Sequence, residues 1–273
     1  MPELPEVETT RRGIIPHIKG QTVSSVIIRQ PKLRWPITEG MELLLTDKVL
    51  NSVRRRGKYL LLDFDHGTAL IHLGMSGSIR ILDPQIPIEK HDHFDIQFNN
   101  NKTLRYNDPR RFGAFLWAGE DAAKHKLLAS LGVEPLEDDF DSDYIYRASR
   151  KRTIAVKQFI MDGKLVVGVG NIYANEALFL AGIHPDRAAN RISLKRYKQL
   201  VMTIKSVLSA AIKQGGTTLK DANPFKADGK MGYFAQELKV YGRAGEPCTQ
   251  CDSVLLEIRQ SGRTSVFCKH CQR

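Results

Sequence analysis

The sequence predicts an α+β protein of more than one domain: an antiparallel β-sandwich with flanking helices, a helical domain, and a small metal-bound β-hairpin. Three observations carry this. Short strand-like runs separated by turn formers fill the chain up to about residue 134. Beyond Pro135 the apolar spacing becomes helical. All four cysteines lie near the C-terminus, in paired C-x-x-C form. The expected division is 1–134, 135–236 and 237–273.

The chain opens Met1-Pro2-Glu3-Leu4-Pro5-Glu6-Val7-Glu8, helix-like from the start. Pro5 suits a first helical turn, where a missing N–H loses nothing. Removal of Met1, which a small second residue generally permits, would expose the secondary amine of Pro2. Such an amine attacks an aldehyde or a sugar C1′ and forms an iminium, provided that it is unprotonated. The positive end of a helix disfavours the ammonium form, and Glu3 and Glu6 stand beside it as proton-transfer groups. A capped surface helix explains the same residues without chemistry, so this stretch alone leaves both readings open. It leaves no room for a targeting segment, and no stretch approaches the roughly 18 apolar residues of a membrane span. A soluble, cytoplasmic protein is expected.

The strand-like runs are 23–29, 49–54, 59–64, 69–73, 78–82, 94–98, 103–107 and 114–117. His66-Gly67 and the asparagines at 99–101 read as hairpin connections, and the regular spacing predicts a sandwich or barrel. An acidic connector at 136–140 leads into the helices. There the stretch 163–173 parses as helix, turns, helix, with Asn171 as N-cap of a helix that Gly182 ends. A helix start of that kind can hold a phosphate on its amides, although a plain structural turn explains the glycines equally well. Ser193 caps a last long helix whose apolar positions 200, 204, 207, 208 and 211 form an ordinary core stripe. The polar, glycine-bearing stretch 217–233 lacks periodicity and reads as a mobile functional loop.

Cys248, Cys251, Cys268 and Cys271 form two C-x-x-C pairs separated by sixteen residues. Four thiolates so spaced close a tetrahedral zinc site with no open position, which makes the metal structural. Between the pairs, residues 254–267 alternate around Gly262 as a hairpin whose tip carries Arg259 and Arg263.

Lysine and arginine exceed aspartate and glutamate by 41 to 30, a net charge of +11. The positives cluster at Arg54, Arg55, Arg56 and Lys58, at Arg110 and Arg111, and at Arg147, Arg150, Lys151, Arg152 and Lys157. Clusters point to a polyanion, and nucleic acid fits better than mere solubility.

Taken together, these motifs resemble the bacterial formamidopyrimidine-DNA glycosylases from the first residue to the last. The resemblance rests on Pro2-Glu3-Leu4-Pro5-Glu6-Val7-Glu8-Thr9, on Arg55-Arg56-Gly57-Lys58-Tyr59-Leu60, and on His72-Leu73-Gly74-Met75-Ser76-Gly77. It continues through Lys90-His91-Asp92-His93, Asp108-Pro109-Arg110-Arg111-Phe112-Gly113, Gly168-Val169-Gly170-Asn171-Ile172-Tyr173 and the cysteine pairs. It implies an N-terminal β-sandwich, a helix-two-turn-helix element with a zinc hairpin, and damaged double-stranded DNA in a basic cleft between them. The implied activity is bifunctional: excision of oxidised purines such as 8-oxoguanine, then strand cleavage by β,δ-elimination. A monomer with one structural zinc ion is expected.

By the same resemblance Pro2 attacks C1′, Glu3 serves as acid and base around sugar-ring opening, and Glu6 assists. Lys58 matches the proton donor of β-elimination and Arg263 the arginine linked to δ-elimination. His91, Arg110, Lys151 and Asn171 match DNA-backbone contacts. Met75, Arg110 and Phe112 match the residues that fill the hole left by an everted nucleotide, for which a thioether, a planar cation and an aromatic ring are suited. Read without the motif, Met75 and Phe112 would be assigned to the core. The match is softer in the 217–233 loop and at Val266, where relatives often carry an aromatic residue or histidine. Two rival readings are a sister family resembling endonuclease VIII, which prefers oxidised pyrimidines, and a non-catalytic DNA-binding zinc protein. The Leu4-Pro5 start, Phe112 and the long loop argue against the first; retention of Pro2, Glu3 and Lys58 argues against the second.

Overall fold

The computed structural model describes residues 2–215 and 238–273, so the loop expected at 217–233 lies outside the described residues. The chain forms two compact units, one ending at Ala129 and the other built from Ser130–Gln214 and the C-terminal stretch. Among the described residues no helix is long and apolar enough to cross a membrane.

The first unit contains α1 (Leu4–Ile18), β1 (Val23–Ile28), α2 (Met41–Leu45), β2 (Ser52–Arg56), β3 (Tyr59–Phe64), β4 (Gly67–His72), β5 (Ser78–Leu82), β6 (Asp92–Phe98), β7 (Thr103–Asn107) and β8 (Ala114–Gly119). The strands form two antiparallel four-stranded sheets, ordered β1-β6-β7-β5 and β2-β3-β4-β8. The expected strand at 49–54 begins later, at Ser52, because Val49 makes an isolated bridge to Thr22 instead. One core joins both sheets and the inner face of α1: Val7, Ile14, Ile18, Leu60, Leu62, Ile71, Ile96 and Leu104 are all buried in it. Each such side chain contributes about 1.5–3 kcal/mol relative to exposure. An aromatic stack links the sheets: Phe94 of β6 lies against Tyr106 of β7 at 4.8 Å and against Phe115 of β8 at 4.2 Å, nearly parallel in both cases.

The start of α1 is fixed by a capping box. Glu3 is the N-cap, Pro5 lies in the first turn, and the Glu6 carboxylate accepts the Glu3 amide at 2.8 Å while the Glu3 carboxylate faces the Glu6 amide. Extended Lys19 and left-handed Gly20 (φ 76°) end the helix. Glu8 then fastens α1 to the sheet. Its buried carboxylate accepts from Arg11 at 2.8 and 3.0 Å, from Arg12 at 2.8 Å and from Arg55 of β2 at 3.2 Å. Arg11 also donates to the Val53 carbonyl at 3.1 Å.

The second unit contains α3 (Ser142–Ser149), α4 (Val156–Ile160), α5 (Asn171–Leu180), α6 (Leu194–Lys213), β9 (Leu256–Gln260) and β10 (Arg263–Phe267). Asp141 caps α3 by accepting from the Tyr144 amide at 2.7 Å. Ser193 caps α6, whose expected stripe at Leu200, Ile204, Val207, Leu208 and Ala211 is buried. The cap of α5 is a correction: it is Gly170, in extended geometry, and Asn171 is the first helical residue. Left-handed Gly168 (φ 82°) turns the chain early enough for Gly170 to be the last extended residue. From Ile172 to Phe179 α5 is buried along its whole length, as a central core helix is.

The acid stability of the first unit follows from Glu8. Burial alone would raise its carboxyl, but hydrogen bonds from Arg11 and Arg12 and the charges of Arg11 and Arg55 override this and hold it down at about 2. A folded pKa below the ordinary 4.5 means that the contribution is complete above pH 4.5 and is lost as pH falls towards 2. Glu8→Gln is therefore expected to lower the melting temperature above pH 4.5 and to flatten its decline between pH 4.5 and 2, as read by thermal melts at stepped pH.

Candidate active site and nucleic-acid interface

In the first unit the candidate residues gather on the ends of the strands and on the helix start. Pro2 is half-buried immediately before Glu3, and Glu3 and Glu6 are buried. The reciprocal capping contacts show what Glu6 does for its neighbour: it fixes the backbone on which Glu3 sits. Lys58 occupies the two-residue turn between β2 and β3, after left-handed Gly57 (φ 55°), where Arg56 pairs with Tyr59. The Glu8–Arg55 ion pair ties that hairpin to the first turns of α1. Lys58 and Pro2 thus sit on two segments that one buried carboxylate holds in register.

His72, at the end of β4, faces this group and was not singled out by sequence reasoning. It pairs across the ladder with Tyr59, the rings 4.8 Å apart, and its Nδ1 accepts the Gly74 amide at 3.0 Å. Burial, then the charges of Lys58 and Arg34, lower its pKa to about 4. At neutral pH its proton therefore sits on Nε2, available to another acceptor. The signal was present in the motif His72-Leu73-Gly74, but only the fold shows that this histidine stands beside Lys58.

Met75 and Phe112 are 41% and 42% exposed, so neither belongs to the core. Their loops are nevertheless rigid. The backbone at left-handed Gly74 (φ 66°) lies so close to Phe112 that a Cβ there would stand 2.4 Å from the Phe112 carbonyl carbon. Both loops converge on Asp108, whose residue is 0% exposed. One carboxylate oxygen accepts from Ser76 Oγ at 2.7 Å and the Arg110 amide at 3.2 Å; the other accepts from Tyr106 OH at 3.1 Å and the Gly113 amide at 2.9 Å. All four lone-pair positions are used, which is what a buried carboxylate requires to avoid a penalty of several kcal/mol. The exposed Arg110 side chain lies 5.0 Å over the Phe112 ring. His91, in left-handed geometry (φ 74°), joins the same hub: its carbonyl accepts the Asp108 amide at 3.1 Å. Met75, His91, Arg110 and Phe112 are thereby brought together.

In the second unit Lys151 is exposed just after α3. Asn171 opens α5, and its Oδ1 is buried with no hydrogen-bond partner among the described residues. The expected hairpin is present: β9 and β10 pair with Gln260 opposite Arg263, joined by Ser261 (φ 47°) and Gly262 (φ 76°). Two left-handed residues make the turn that matches strand twist, and they place exposed Arg263 at the tip. Buried Lys157 clamps the hairpin from α4, donating to the Thr264 carbonyl at 2.9 Å and Ser265 Oγ at 2.7 Å. Asn175 accepts the Val266 amide at 2.8 Å, and Glu176 accepts the amides of Lys239, Val240 and Tyr241 at 2.8–3.0 Å. Several of the clustered cations are therefore structural. Arg54 pairs with Asp63, Arg55 with Glu8, and Arg150 turns inward onto the carbonyls of Asn190 and Ile192.

The sulfur atoms of Cys248, Cys251, Cys268 and Cys271 lie within 4.8 Å of one another. Cys248 and Cys271 are 3.9 Å apart, Cys251 and Cys268 3.4 Å. Zinc–sulfur bonds of about 2.3 Å in a tetrahedron require sulfur separations of about 3.8 Å, so the four residues fit one zinc ion. Behind them Cys248 and Cys268 join Phe179, Val240, Leu255 and Val266 in a small core of their own.

Comparison with known proteins gives the same answer along the chain. Models of the formamidopyrimidine-DNA glycosylase N-terminal domain, of its H2TH domain, and of a zinc finger found in FPG and IleRS match residues 1–115, 131–223 and 245–273. A formamidopyrimidine-DNA glycosylase of Alcanivorax borkumensis is 56% identical over 273 residues, covering 100% of both chains. Among solved structures, Lactococcus lactis Fpg in complex with abasic-site DNA is 35% identical with a TM-score of 0.90, covering 99% of each chain. The same protein bound to DNA containing N7-benzyl-Fapy-dG is 35% identical with a TM-score of 0.90, covering 100% of each chain.

The zinc fit carries an expectation. Cys268→Ser should reduce bound zinc from one ion per chain to near none by elemental analysis, and should loosen the hairpin. The far-ultraviolet signal and melting of the sandwich unit should persist; retention of a full equivalent of zinc would contradict the four-cysteine site. With family models matched over most of its length and a full-length relative 56% identical, the chain belongs to the formamidopyrimidine-DNA glycosylase family.

Proposed function

We propose that this protein is a base-excision repair enzyme that removes oxidised purines from double-stranded DNA and cleaves the strand at the resulting abasic site. The observation that carries this reading is the placement of Pro2 directly before a buried, reciprocally capped Glu3, within a chain that matches this family over its full length. The relatives solved with Fapy-type and abasic DNA support the substrate class.

In the proposed sequence the Pro2 nitrogen, unprotonated at the positive end of α1, attacks C1′ of the damaged nucleotide. The base leaves with the bonding pair and is protonated, and the sugar ring opens with Glu3 as acid and base to give an iminium. Loss of a C2′ proton then expels the 3′ phosphate, with Lys58 as the proton donor of this β-elimination. A second elimination, linked to Arg263, expels the 5′ phosphate. Glu6 assists by holding the Glu3 backbone. His91, Arg110, Lys151 and Asn171 contact the DNA backbone, and Met75, Arg110 and Phe112 fill the gap that the everted nucleotide leaves. Four thiolates hold one zinc ion, which supplies no chemistry beyond anchoring the hairpin that carries Arg263. We assign residues 1–134, 135–236 and 237–273 to the catalytic, helical and zinc domains, and place the monomeric protein in the cytoplasm.

Borohydride reduction during turnover on an 8-oxoguanine duplex is expected to trap DNA on the N-terminal peptide at Pro2; a crosslink mapped to Lys58 or another lysine would overturn the nucleophile. A second experiment separates eversion from chemistry. Phe112→Ala should lose most excision of paired 8-oxoguanine, since part of the few kcal/mol needed for unstacking is withdrawn, yet keep cleavage of a preformed abasic site. Pro2→Gly should impair both. Equal losses for Phe112→Ala on the two substrates would remove Phe112 from the eversion step.

A further inference from the structure

The outer face of the β1-β6-β7-β5 sheet carries a row of charges where solvated side chains would be expected. Arg80 of β5, Arg105 of β7 and Asp95 of β6 are cross-strand neighbours. Two arginines directly opposite one another repel, so the row stands only because carboxylates are built into it. Arg105 is 2% exposed and grips Asp95 with Nε and Nη2 at 2.9 and 3.0 Å. Arg29 approaches Asp95 from β1's end, and Arg80 pairs with buried Asp92. Replacing buried ion pairs by well-packed apolar residues is often neutral or stabilising, so stability alone does not explain this lattice.

What the lattice holds is the connection from β5 to β6, residues 83–91. Arg105 Nη1 donates to the carbonyls of Ile86 and Pro87 at 2.9 and 3.1 Å. Arg80 reaches the Glu89 carboxylate at 2.9 Å. Asp92 accepts the Glu89 amide at 2.8 Å, and Asn107 donates both to Asp92 at 2.9 Å and to the Lys90 carbonyl at 3.0 Å. The connection buries little of its own: Ile86 and Ile88 are 43% and 59% exposed. Its position therefore comes from these polar ties rather than from packing. It ends at left-handed His91, whose carbonyl is held by the Asp108 amide.

We propose that Arg105, with Asp92 and Arg80, is a positioning device that presents His91 to the DNA backbone in register with Arg110 and Phe112. This rests on the proposed backbone contact of His91. Arg105 itself touches no DNA; it acts through the carbonyls it holds. A lysine at 105 keeps the charge but lacks the planar fork, so it cannot serve Asp95 and two carbonyls at once.

Hydrogen exchange and binding to a duplex with a stable abasic analogue test this on the full-length protein. Arg105→Lys should speed amide exchange between residues 86 and 92 at least tenfold while β6 and β7 stay protected, and should weaken binding about tenfold. Combined with His91→Ala, it should weaken binding no further than His91→Ala alone, since both remove one contact. If Arg105→Lys does not fold, Arg80→Gln, at the edge of the lattice, takes its place with the same expectations. Unchanged exchange in the 86–92 stretch, or fully additive losses in the double variant, would overturn the proposal. Faster exchange with no binding loss in His91→Ala would sustain the positioning of the loop and overturn the backbone role of His91 instead.

Discussion

The first unit depends on a buried carboxylate with every acceptor position filled. Asp108 gathers Ser76, the Arg110 amide, the Gly113 amide and the Tyr106 hydroxyl, and so converts two exposed loops into one rigid surface. Tyr106 transmits the constraint inward, because its ring lies in the aromatic stack that joins the two sheets. Burial, reinforced by Asp108, raises its pKa, so the phenol keeps the proton that it donates. Exposed apolar side chains usually sit where the chain can adapt. Here Met75 and Phe112 project from loops whose backbones are in contact, the arrangement that the proposed entry into a base stack would need.

A second set of carboxylates organises the helix start. Glu3 and Glu6 cap one another across the first turn, and Glu8 draws the arginines of α1 and β2 together. The end of a chain normally frays. This one is held by one reciprocal cap and one three-arginine cluster, which leaves Pro2 on a fixed base. In the second unit the corresponding task falls to neutral acceptors around Lys157 and to the carboxylate of Glu176, which receives three consecutive amides. Hairpin and helix α5 are thereby parts of one packed body.

Much of this was legible because it is local. The Ser193 cap, the α6 stripe and the cysteine knuckles are encoded over a few residues and appear where their spacing put them, and each strand run falls on a strand whose ends differ by up to three residues. The Asn171 cap was misplaced by one position, since asparagine and glycine both cap helices and only the backbone angles decide between them. Charge clustering was less informative than it looked. Arg54, Arg55 and Arg150 stand among the clustered cations, yet each is engaged inside its own unit, and no sequence period distinguishes them from exposed Lys151. Asp108 and His72 stood in the quoted motifs without a role, and Arg105 stood in none, because each draws in a partner from another loop or strand, Ser76, Tyr59 and Ile86 in turn, and that meeting exists only in the folded chain.

The Ser261-Gly262 turn has a bearing on how this chain can vary over time. Because Arg263 is the first residue of β10 and stands opposite Gln260, its side is set by the length of a two-residue turn. A one-residue slip of β10 along β9 would send the arginine to the opposite face of the ribbon, and every other side chain of β10 with it, buried Ser265, Val266 and Phe267 included. The slip would also turn out side chains that are buried now and draw Cys268 out of its place, so the tip, the small core and the metal site share one register. Insertions and deletions at this tip should therefore be purged even though it is solvent-exposed, a site of length constraint in a position where loops ordinarily drift.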